Sequence, residues 1–83
     1  MALQEKFIVV PFRKGRGSTV VPGEMRQAST EAGAERMAEL IAQHYLGASA
    51  IAVLVDDESG DMTSPRLIRE FGQAIDLIAD MAA

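Results

Sequence analysis

Three cations stand close together in the run Arg13-Lys14-Gly15-Arg16-Gly17. Guanidinium and ammonium groups beside flexible glycines suit the oxygens of a phosphate or of a nucleic-acid backbone. Arg13, Lys14 and Arg16 are therefore the anion-binding candidates. No established fingerprint accompanies them. A dinucleotide loop starting at Gly15 and Gly17 would need glycine at position 20, which is Val20, and no Gly-Lys-Ser/Thr triplet follows as in a P-loop. The competing structural explanation is a solvated loop after a strand.

Other chemistry is thinner. Asp56, Asp57, Glu58 and Asp61 offer oxygens to a hard cation, but an EF-hand with its glycine at Gly60 would need acids at Val55 and Arg66. A polar hairpin tip accounts for the cluster. His44 is the single histidine. As a general base it would need an acid partner and a nucleophile such as Ser49, and the spacing supplies neither. With no cysteine there is no disulfide framework, thiolate zinc site or cysteine nucleophile. No catalytic residue, metal or cofactor is expected, and the chain is read as non-enzymatic.

The whole chain bounds these options. Its 83 residues are enough for one domain, residues 1–83. The hydrophobic fraction of 48% against 24% charged residues is that of a globular protein. A net charge of −4 disfavours nonspecific attraction to nucleic acid or anionic membranes. The charge is uneven: residues 1–26 carry five basic and two acidic side chains (+3), residues 27–83 three and ten (−7). Only four aromatic residues are present, too few for a base-stacking platform. No apolar run approaches the roughly 18–20 residues that cross a bilayer, and MALQEKFIVVPF lacks the order of a signal peptide. A cytoplasmic protein without a membrane partner is expected.

The elements that must position these residues follow from periodicity. Lys6–Arg13 reads as a strand apolar on both faces, with Pro11 placing it at an edge or end. Lys14–Gln27, punctuated by Gly15, Gly17, Pro22 and Gly23, reads as a loop, with a short extended piece at Val20-Val21. Ser29 or Thr30 caps a helix with apolar positions Ala34, Met37, Ala38, Ile41 and Tyr45, and Gly47 stands where a left-handed cap would end it. Ala48–Asp57 reads as a central strand. Asp57-Glu58-Ser59-Gly60 then reads as a hairpin turn. Residues 62–71 form either a third strand, confined to an edge by Pro65, or a helix starting at Ser64-Pro65. The strand is preferred, with a short helix over 73–81.

The segments FIVVPFRKGRG, PGEMRQASTEAGAERMAELIA, GASAIAVLVDDESGD and SPRLIREFG resemble those of small uncharacterised single-domain proteins of Alphaproteobacteria. The resemblance covers most of residues 7–72. It implies the hairpin and the third strand, and it implies no activity.

The expected fold is α+β: a small three-stranded sheet in β-α-β-β order packed on one main helix, with a short C-terminal helix. A crossover would make the first two strands parallel. One helix covers one sheet face, so a C-terminal helix or a second copy must cover the other. This points to a self-associating protein-interaction module, a homodimer, with Met62, Ile75, Ile78 and Met81 as interface candidates. The alternative is a weak anion- or nucleic-acid-binding protein using loop 13–17.

Overall fold

The computed structural model describes residues 3–17 and 19–73. Apart from Gln73, the expected helix over 73–81 lies outside the described residues. So do the interface candidates Ile75, Ile78 and Met81. The elements run β1 (Leu3–Lys14), β2 (Val20–Pro22), β3 (Arg26–Ala28), α1 (Glu31–Ala42), β4 (Gly47–Asp56) and β5 (Met62–Gly72). They form one antiparallel sheet in the order β2-β1-β4-β5, with β3 also pairing β1. The fold is thus mostly β. The three-stranded sheet with a parallel first pair is corrected in both strand number and strand direction.

The missing strands lie in the expected loop. β2 pairs Phe12–Lys14 and β3 pairs Phe7–Val9 of the same β1 edge. Between them three residues, 23–25, face two on β1, residues 10–11, which is the count of a bulge. The Pro11 carbonyl accepts from Gly23 N–H at 2.7 Å, so the backbone of Pro11 faces this break. Its absent N–H therefore falls where the ladder is already interrupted. That is how a proline sits in a strand flanked on both sides rather than at an edge.

The crossover exists, but it starts from β3. β3 and β4 are each antiparallel to β1, so they are parallel to each other with β1 between them. α1 links them. β1 itself pairs with β4 antiparallel along ten residues, from Leu3 opposite Asp56 to Phe12 opposite Gly47.

α1 starts as its sequence dictates. Thr30 is the N-cap, and its hydroxyl accepts from Gly33 N–H at 2.9 Å. The helix ends at Ala42, five residues before Gly47, with Gln43 as a right-handed C-cap. Gly47 serves a different purpose. It opens β4, and a Cβ there would collide with the Phe71 and Gln73 carbonyl oxygens.

Val9 of β1, Ala48 and Ala50 of β4 pack with Ala34, Ala38 and Ile41 of α1, flanked by Phe7, Ile68 and Phe71. The alanines, all fully buried, let helix and sheet approach closely. Alternate residues point to the other face. There Val10, Phe12, Ile51 and Val53 are at most 3% exposed within the single chain.

Candidate functional site

The C-terminal end of β1 and the turn between α1 and β4 enclose an open depression of about 470 Å³, lined by Arg13, Lys14, Gln43, His44, Tyr45 and Leu46. Antiparallel pairing makes this meeting. It sets the end of β1 against the start of β4, and hence against the turn that precedes β4. Leu46 N–H donates to the Phe12 carbonyl at 2.9 Å, His44 N–H to the Ile41 carbonyl at 3.0 Å, and Gln73 N–H to the Leu46 carbonyl at 3.0 Å. The rim is thus a bonded turn joined to two strands.

Arg13 and Lys14 are exposed and form no ion pair among the described residues. Arg16 does not line the depression; it sits beyond Lys14 on the tip joining β1 to β2. That tip is closed by Gly15 N–H to the Thr19 carbonyl (2.9 Å) and by the Thr19 hydroxyl to the Arg16 carbonyl (2.7 Å). Gly17 takes φ +66°, a left-handed conformation that glycine adopts without strain. The basic run is therefore the end of a strand and a hydrogen-bonded hairpin tip. The sequence singled out the three cations and, separately, His44, but local spacing cannot place His44 and Tyr45 beside residue 13.

His44 and Ser49 do not form a nucleophile–base pair. His44 is exposed at the rim, whereas Ser49 is 1% exposed and its hydroxyl has no hydrogen-bond partner among the described residues. The acidic residues cluster at the β4–β5 tip. Asp56 Oδ1 accepts from Glu58 N–H at 2.8 Å and Ser59 N–H at 3.4 Å, while Gly60 turns the chain at φ +76°. Asp57 accepts from Gln4 Nε2 at 3.4 Å. Among the described residues no group of three or more His, Asp or Glu side chains is placed to hold a metal ion. Met62 is 47% exposed at the start of β5, opposite Val55.

Two arginines outside the sequence candidates pair β5 with α1 across the surface. Arg66 meets Glu31 at 2.7 Å and Glu5 at 3.6 Å, and Arg69 meets Glu35 at 2.8 Å. The Glu31 hydrogen bond and charge, helped by Glu5, hold the Arg66 guanidinium above its ordinary pKa. A register shift between Ala50 and Ile51 leaves Ile68 unpaired, which turns Arg66 and Arg69 to the same face. Two strand steps, about 7 Å, then match the rise of about 6 Å between Glu31 and Glu35.

No known protein family, curated protein or solved structure matches the chain. No helix among the described residues is long and apolar enough to cross a membrane.

Proposed function

We propose that the protein is a non-enzymatic binding module whose working surface is the basic end of its sheet, and that this surface takes an anionic group. One observation carries the proposal: Arg13 and Lys14, without acidic partners among the described residues, share an open depression with His44 and Tyr45. A guanidinium fork offers paired donors to a carboxylate or phosphate. The Tyr45 ring, 39% exposed, adds an apolar surface with a polar tip. The site is open to water, so charge pairs there contribute at most about 1 kcal/mol each. The expected affinity is accordingly weak and salt-dependent.

The test is a titration of the isotope-labelled protein, followed by backbone amide shifts at low salt. The ligands are a glutamate-rich peptide, inorganic phosphate and a short oligonucleotide. Shifts centred on residues 13–16 and 43–46, lost in an Arg13→Ala, Lys14→Ala variant, are expected with at least one of them. Shifts absent with all three, or scattered away from this end, would contradict the proposal.

A further inference from the structure

The geometry points to the acidic β4–β5 hairpin tip of a second copy of this chain as the group the basic end takes. This rests on the proposal that the basic end binds anions, and it names the partner. Because Phe12 lies opposite Gly47 and Leu3 opposite Asp56, the β1–β2 tip and the β4–β5 tip stand at opposite ends of the sheet. The ten paired residues between them span about 30 Å. That is several times the Debye length of about 8 Å at physiological salt, so each end acts as a separate charge centre.

One centre holds Arg13, Lys14 and Arg16; the other holds Asp56, Asp57 and Asp61 within six residues. The acidic tip is narrow and bonded: Asp56 N–H donates to the Asp61 carbonyl (3.0 Å), Gly60 N–H to the Asp56 carbonyl (2.8 Å), and Asp61 N–H to the Ser59 hydroxyl (3.2 Å). A projecting tip of one sign is complementary to an open depression of the other. One chain cannot bring its own two ends together across the sheet. The contact must be made between copies, head to tail, and such contacts leave a free end of each sign.

The outer edge of β5 offers copies no easier route. Pro65 lacks a donor, Ser64 sits at φ 51°, two register shifts distort the ladder, and Arg66, Arg69 and Glu70 bring charge to the strand. These are the devices that discourage pairing between strand edges.

Sedimentation of the full chain over a concentration series tests the inference at low salt and at about 0.5 M salt. The average sedimentation coefficient is expected to rise with concentration at low salt, with association about tenfold weaker at high salt. Two charge-reversed chains sharpen the test: Arg13→Glu with Lys14→Glu, and Asp57→Lys with Asp61→Lys. Each alone stays monomeric at low salt, and an equal mixture associates again, which misfolding cannot produce. Association that survives in both single preparations, or a mixture that stays monomeric, would overturn the inference. A wild type monomeric at low salt that still binds a glutamate-rich peptide at Arg13 and Lys14 would overturn the second copy as partner and leave the basic end an anion site. A monomer that binds no peptide, phosphate or oligonucleotide would overturn both.

Discussion

The Ser49 hydroxyl is the residue least at ease in this fold. It is buried on the sheet face away from α1, beside Val10 and Glu70 in register, with no partner for its Oγ among the described residues. An unpaired buried polar group costs about 1–3 kcal/mol. Ser49→Ala removes the hydroxyl and nothing else, so it should raise stability by about 1 kcal/mol. For a domain of this size that is about 4–8 °C in the thermal midpoint, read by circular dichroism. No change, or a loss, would show that the hydroxyl has a role that its bonding does not reveal. Thr30 runs the other way. Its hydroxyl closes the first turn of α1, and Thr30→Ala should cost about 1 kcal/mol in the same measurement.

Elements were legible where their signals are local. The cap at Thr30, the apolar spacing through Ile41 and the turn at Gly60 mark α1 and the β4–β5 hairpin within a few residues of their positions. Of the two short strands, β2 was legible only as an extended piece at Val20-Val21 and β3 not at all, because Pro22 and Gly23 are ordinary punctuation of a loop. Only Pro11, far along the chain, explains why a break at that point costs the ladder nothing. Gly47 misled for a similar reason. A glycine after a helix resembles a cap, whereas this one makes room for the carbonyls of the neighbouring strand. Gly47→Ala should therefore cost about 2–3 kcal/mol through forced displacement of β5. Gly60→Ala meets open space and bears only its left-handed backbone, about 1–2 kcal/mol. Chemical denaturation of both variants compares them directly, and an equal loss would contradict the close approach of β4 and β5.

At the scale of the molecule, strand direction decides the distribution of charge. Apolar alternation shows which residues share a face but carries no information on whether two strands run together or opposed. Had β1 and β4 been parallel, Arg13 and Lys14 would stand near Val55 and Asp56, and the basic and acidic runs would neutralise each other at one end. Paired antiparallel, they are held at opposite ends of the sheet, and the basic run meets His44 and Tyr45 instead. For this reason the cations of the site were legible in the sequence while their surroundings were not.

The same pairing underlies the depression, the charge separation and the head-to-tail contact, so it is the claim to test first. Through-space NMR contacts between backbone Hα protons measure it. Cross-strand contacts at Val9–Ala50 and Phe7–Ala52, together with contacts between Phe12 and Leu46, are the predicted result. Contacts of Arg13 or Lys14 with Val55 or Asp56 in their place would contradict the fold, and with it the site built upon it.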